Sequence, residues 1–141
     1  MLQRWLVNLS RLAVLTLIVA AGCRQSAGGV PIDSSKEEST GVQIALAADS
    51  DRMVMGPVTW TVTLTDAGGL PIEDAAVAVR GDMNHAGMVP VQSTATHDGD
   101  GVYTTSDFQW TMAGDWTLTV NVTLADGRVV SRTFNYSVRT R

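Results

Sequence analysis

The chain has 141 residues, with ten Lys or Arg against fourteen Asp or Glu, a single cysteine and a net charge of −4. That acidic balance argues against a nucleic-acid ligand and against a polybasic grip on anionic lipid, because both need clustered Lys and Arg. One cysteine excludes an internal disulfide, and 45% hydrophobic residues supply enough apolar surface for one cored domain.

The first segment, Met1 to Gly22, opens with Arg4 and Arg11, runs apolar from Leu12 through Val19, and ends in Ala20-Ala21-Gly22 before Cys23. A positive start, a short apolar core and small residues before the cut define a secretory signal peptide. The order resembles a bacterial lipobox, with Ala20 where leucine is usual. In that setting Cys23 is the acceptor of a diacylglycerol thioether. The sequence thus predicts a signal peptide over 1–22 and lipidation at Cys23. It predicts a domain held by its lipid on the extracytoplasmic face of the cell membrane, or in a periplasm. A cleaved signal with an incidental cysteine, or an uncleaved anchor, also places the domain outside the cytoplasm. Loss of Arg4 and Arg11 takes the net charge from −4 to −6.

Residues 23–41 read as the lipidated cysteine and a flexible tether. The stretch is rich in Ser and Gly, contains Pro31 and carries Lys36-Glu37-Glu38, with little to bury. From Val42 to Arg141 the pattern changes to period two, the mark of half-buried strands. Strands are predicted at Val42–Leu46, at Val58–Thr65, and at Ala75–Val79. Further strands follow at Pro90–Thr96, Val102–Phe108, Trp116–Leu124 and Val130–Val138. Asp66-Ala67-Gly68-Gly69, Asp98-Gly99-Asp100-Gly101 and Ala125-Asp126-Gly127 supply turns. The fold class expected is all-β: an immunoglobulin-like antiparallel β-sandwich of about seven strands with no disulfide. Trp60, Val62, Val77, Phe108, Trp116, Leu118, Val120, Phe134 and Tyr136 are the expected inner residues.

No catalytic set stands out, and no enzyme is expected. His85 and His97 are the two histidines, serine occurs in no nucleophile context, and Asp98 and Asp100 flank a glycine as a turn requires. The unusual segment is Gly81-Asp82-Met83-Asn84-His85-Ala86-Gly87-Met88-Val89-Pro90. Thioether sulfur is soft and imidazole borderline, a pairing that suits copper and Cu(I) in particular. Methionine also fills irregular gaps at the end of a core, so Met83 and Met88 have a purely packing alternative.

Strand parity bears on that choice. If each short connection reverses the chain, the first, third and fifth connections share one end of the sandwich. Those connections hold Met53 and Met55, then Met83, His85 and Met88, then Trp110 and Met112. The opposite connections hold no methionine, and the tether leaves from that opposite end. Met83, His85 and Met88 are therefore the candidate copper ligands. Met53, Met55 or Met112 would complete the sphere, with Trp110 as a shield. His97 falls beside the opposite loops and is left out.

Residues 42–138 resemble the YtkA-like domain, which is related to FixH and more loosely to CopC-type copper-binding sandwiches. The matching pieces are Asp66…Gly69-Leu70-Pro71 after a threonine-rich strand, Ala75 and Val77, Met83…Gly87-Met88 and Gly101-Val102-Tyr103. Ala113-Gly114-Asp115-Trp116-Thr117-Leu118 and Gly127 complete the set. The resemblance implies an extracytoplasmic β-sandwich and, from some relatives, copper handling or the maturation of copper-containing respiratory oxidases. In such domains histidine often follows Met-Gly, whereas here His85 precedes Gly87-Met88. The expected function is a lipid-anchored Cu(I) carrier or scavenger serving copper homeostasis or oxidase maturation. Its expected partners are the membrane and a copper-handling or oxidase-assembly protein, with no nucleic acid. The alternative is a metal-free interaction module whose methionine end docks a membrane partner.

Overall fold

The computed structural model describes residues 41–83, 85 and 87–141. The signal segment, Cys23 and the tether up to residue 40 lie outside the described residues. Nine strands follow in chain order: β1 Val42–Ala48, β2 Gly56–Pro57, β3 Trp60–Asp66, β4 Ala75–Met83, β5 Val91–Gly99, β6 Val102–Thr105, β7 Gln109–Trp110, β8 Gly114–Leu124 and β9 Val129–Val138. No helix occurs among the described residues. The alternation expected of half-buried strands is plain in β8, where Trp116, Leu118, Val120, Val122 and Leu124 are buried and the residues between them are not.

Seven strands form one antiparallel sheet in the order β1-β3-β6-β5-β4-β8-β9, and β2 and β7 pair separately. The expected sandwich is therefore made from a single sheet coiled over on itself. Its two edges approach each other. Arg132 of β9 donates from Nη1 to the Ile44 carbonyl of β1 at 2.6 Å, and Val54 bridges Arg139 in parallel. The inward faces enclose Ile44, Trp60, Val62, Leu64, Val77, Val79, Tyr103, Phe108, Trp110, Trp116, Leu118, Val120, Val122 and Phe134. Tyr136 is half-buried at the edge of this core.

Three boundaries differ from the sequence reading. β4 runs through Met83, so Gly81 belongs to a strand and not to the loop. A Cβ at Gly81 would stand 2.8 Å from Phe108 Cζ and 3.3 Å from Trp116 Cε3. The glycine is where two rings lie against the backbone. β6 stops at Thr105, before Ser106 and Asp107, and Asp107 accepts a hydrogen bond from Ser93 Oγ. β2 and β7 join the connections 49–59 and 106–113 to each other, a pairing that two-residue strands do not announce in sequence.

The turns follow from residue chemistry. Gly99 and Val102 flank a two-residue hairpin loop in which Asp100 (φ 51) and Gly101 (φ 71) both take positive φ, as a type I′ turn demands. At Gly101 a Cβ would also lie 2.6 Å from the Leu64 carbonyl oxygen. Between β3 and β4, the Asp66 carboxylate accepts from the amides of Gly68 at 2.8 Å and Leu70 at 2.9 Å. Tyr103 secures that same end: its hydroxyl donates to the Ile72 carbonyl at 2.9 Å and accepts from the Ala75 amide at 3.2 Å.

Antiparallel pairing fixes which connections share an end. β1, β6, β4 and β9 run one way, and β3, β5 and β8 run the other. Connections 49–59, 84–90 and 106–113 thus lie at one end, together with residues 139–141. Connections 67–74, 100–101 and 125–128 lie at the other, where Gly41 enters β1. Two substitutions test this fold by urea denaturation. Trp116→Ala should cost about 3–5 kcal/mol, the usual loss for a large aromatic taken from a core. Gly101→Ala should cost about 1–3 kcal/mol, because it strains a left-handed residue against a carbonyl. A loss below about 0.5 kcal/mol, the level of an ordinary surface change, would contradict the register in either case.

Candidate functional site

The end bearing connections 49–59, 84–90 and 106–113 is built on a layer of aromatic rings. Trp60 opens β3, Trp116 lies two residues into β8, Tyr136 sits opposite it in β9, and Phe108 and Trp110 come from the connection between β6 and β8. Trp110 meets Trp60 edge to face at 5.8 Å and 90°, Phe108 at 5.1 Å and 85°, and Trp116 at 5.1 Å and 60°. The buried indole N–H groups of Trp60 and Trp110 meet no oxygen or nitrogen acceptor among the described residues. Edge-to-face packing sets positive ring edges against negative ring faces, which offsets part of that cost. Trp116 differs: its Nε1 donates to the Met112 carbonyl at 3.0 Å and ties the connection 106–113 to the start of β8.

Trp110 is 2% exposed. It is part of the core and not an outer shield over a site. The alternation of Phe108 and Trp110 carried a signal for this, since two large apolar residues two apart face the same way in extended chain.

Five methionines belong to this end of the sheet, and the structure divides them. Met53, Met55 and Met83 are half-buried and packed against the core. Met83 continues the inward series Val77, Val79, Gly81 of β4. Its Cε sits where a side chain at Gly114 would fall, 2.7 Å from the position of a Cβ there. Gly114 has φ +137, so glycine both permits the backbone and leaves room for the thioether. Met53 and Met55 are fixed through their backbones. The Arg139 amide donates to the Met53 carbonyl at 2.9 Å, and the Met55 amide donates to the Arg139 carbonyl at 2.9 Å.

The other members lie further out. His85 is exposed and Met88 half-buried on the connection from β4 to β5, with the Met88 amide 3.4 Å from the His85 carbonyl. Met112 is 44% exposed. His97 lies toward the opposite end, its ring 4.8 Å from that of Tyr103. Among the described residues no three His, Cys, Asp or Glu side chains gather into a metal-binding group. Besides the thioethers and the His85 imidazole, the connections at this end carry the carboxylates of Asp49, Asp51 and Asp107.

An all-β domain closed by one coiled antiparallel sheet, with a methionine-bearing end over an aromatic layer, defines the class. The family profile of YtkA-like proteins matches residues 36–121, and the chain belongs to the YtkA-like family. No curated protein matches the chain in sequence. Among solved structures, the soluble domain of PmoD from Methylocystis sp. ATCC 49242 (Rockwell) is similar at 13% identity and a TM-score of 0.45. That match covers 69% of this chain and 90% of the other.

Tyr136 reports on the aromatic layer. Burial pushes its hydroxyl up from 10.0 to about 12. The folded state thus holds the proton more tightly than the unfolded chain. The stability linked to this group is complete below pH 10 and is lost as pH climbs through 12. Burial is also the main cause that raises Tyr103. In a Tyr103→Phe variant the remaining tyrosine should ionise near pH 12 by phenolate absorbance, in step with loss of structure. Ionisation near pH 10 with the fold intact would put Tyr136 in solvent.

Proposed function

We propose that the chain is a lipid-anchored, extracytoplasmic protein that takes up Cu(I) at its methionine-bearing end, as a carrier or scavenger. The observation that carries this reading is the gathering of three separate connections, with all five methionines of the described residues, at the end opposite Gly41. A purely apolar filler role does not require sulfur, and the opposite connections, which cover the same core, contain none. The donor chemistry fits: thioether and imidazole suit Cu(I), whereas zinc prefers imidazole, thiolate and carboxylate. Thioethers also remain ligands in oxidising compartments, where thiols pass to disulfides.

Met83, His85 and Met88 would hold the ion, and Met53, Met55 or Met112 would complete its sphere. Copper is cargo in this reading. The protein's part is to present soft donors over a dry aromatic floor. Cys23 would carry the lipid, so the domain works at the membrane surface and its partners are copper-handling or oxidase-assembly proteins. A second reading has its own support. Val89 is 80% exposed and Met112 44% exposed on the same end, which also suits a metal-free docking surface.

The two readings separate on a sulfur-for-methylene swap. Changing Met83 and Met88 together to Leu keeps apolar bulk and removes two thioethers. The double variant should fold normally and bind Cu(I) at least about tenfold more weakly, a loss of about 1.4 kcal/mol. Affinity is measured by competition with a Cu(I) chelator. Unchanged affinity, or no Cu(I) uptake by the unaltered chain, would favour the docking surface. For the anchor, mass spectrometry of the native protein should find Cys23 as an acylated N-terminus. A Cys23→Ser variant that stays uncleaved in the membrane would instead indicate a plain anchor segment.

A further inference from the structure

Residues 139–141 grip the connection between β1 and β3 at its two methionines. The Arg139 amide donates to the Met53 carbonyl at 2.9 Å, and the Met55 amide donates to the Arg139 carbonyl at 2.9 Å. Val54, between them, bridges Arg139 in parallel. Arg141 Nε donates to the Met55 carbonyl at 3.2 Å. A Cβ at Gly56 would stand 2.8 Å from Arg141 Nη2, so the guanidinium lies against the bare backbone that follows Met55. Beyond it, Gly56–Pro57 pairs with Gln109–Trp110. The residues before Met53 bond within their own stretch, the Arg52 amide to Ser50 Oγ at 3.2 Å and the Val54 amide to the Arg52 carbonyl at 3.0 Å.

The register of β8 and β9 sets this strap beside Met83. Met83 Cε lies 2.7 Å from the place of a Cβ at Gly114, so the thioether of Met83 reaches from β4 to β8. Gly114 pairs with Val138, and Arg139 is the next residue. From Gly114 across β9 to Met53 and Met55 is two strand spacings, about 10 Å. Met112 is placed differently: it is 44% exposed, and its carbonyl accepts from Trp116 Nε1.

We infer that residues 139–141 are positioning residues for metal capture, holding Met53 and Met55 in place as the donors that complete the sphere begun by Met83. The inference rests on the Cu(I) reading above. A loose connection would lose chain freedom on taking up an ion, and fixing its backbone beforehand removes that cost. The strap supplies no ligand itself, because a guanidinium has no lone pair to offer. Arg139 acts through its backbone and Arg141 through its side chain. Their part is that of the groups behind the ligands in other metal sites, whose loss weakens binding about 10–100-fold.

The test uses the full-length chain in a mild detergent, with Cu(I) affinity read by competition with a chelator and stability by urea. Arg139→Pro removes the N–H on Met53 and should weaken binding about 10–100-fold. Arg139→Ala keeps both backbone bonds and should retain the affinity. Arg141→Ala removes the bond to the Met55 carbonyl and should also weaken binding, and it carries the test should the proline variant fail to fold. The deciding arm repeats these changes with Met53 and Met55 both leucine. There Arg139→Pro or Arg141→Ala should still lower stability but should leave the remaining Cu(I) affinity unmoved, because the donors they position are gone. An equal weakening with and without the two sulfurs overturns the inference. So does unchanged affinity in both Arg139→Pro and Arg141→Ala, or a loss in Arg139→Ala as large as in Arg139→Pro. Absence of Cu(I) uptake by the unaltered chain overturns the underlying reading, and this inference with it.

Discussion

The packing of Trp60, Phe108, Trp110, Trp116 and Tyr136 into one layer is the constraint on which the rest depends. A coiled sheet with open ends must fill its mouth with something large and dry, and here five rings do so at one end. The layer dictates glycine at 81, where Phe108 and Trp116 lie on the backbone. It draws in the connection 106–113, because Phe108 and Trp110 leave no slack for it to stand away. Through the indole N–H of Trp116 it also pins the Met112 carbonyl. The other end is held by backbone chemistry instead: a type I′ turn at Asp100-Gly101, the Asp66 carboxylate on two amides, and the Tyr103 hydroxyl between two strands.

That asymmetry gives the methionines their setting. Flexible thioethers fit the uneven upper surface of a ring layer, and sulfur makes favourable contacts with aromatic groups. Met53, Met55 and Met83 are packed against the core whether or not a metal arrives. Met88, His85 and Met112 bear less of the packing. The inner sulfurs have a stability role that leucine can share, and a ligand role would be added to it. A soft cation would meet preorganised donors from the strand ends and adaptable ones from the connection after β4.

Much of the fold was legible because buried and exposed positions alternate with period two. The β8 residues Trp116 to Leu124 and the turn residues Asp100-Gly101 and Asp126-Gly127 marked their places unaided. What was not legible depends on distant partners. β2 and β7 are two residues each and exist only because Gly56–Pro57 meets Gln109–Trp110. The single coiled sheet, in place of two separate ones, rests on β5 pairing with both β4 and β6. Gly81 read as loop because glycine weakens an isolated strand, and the rings that require it come from residues 108 and 116. Within the site, the shared end followed from strand parity. The split between inward and outer methionines did not, since parity fixes an end and not a depth.

The central claim is that sulfur from this end holds Cu(I). X-ray absorption at the copper edge of the loaded full-length chain tests it most directly, because sulfur and the lighter donors scatter differently. The account predicts a first shell dominated by sulfur, reduced in number when Met83 and Met88 are leucine. A shell of nitrogen and oxygen alone, unchanged by that substitution, would contradict it.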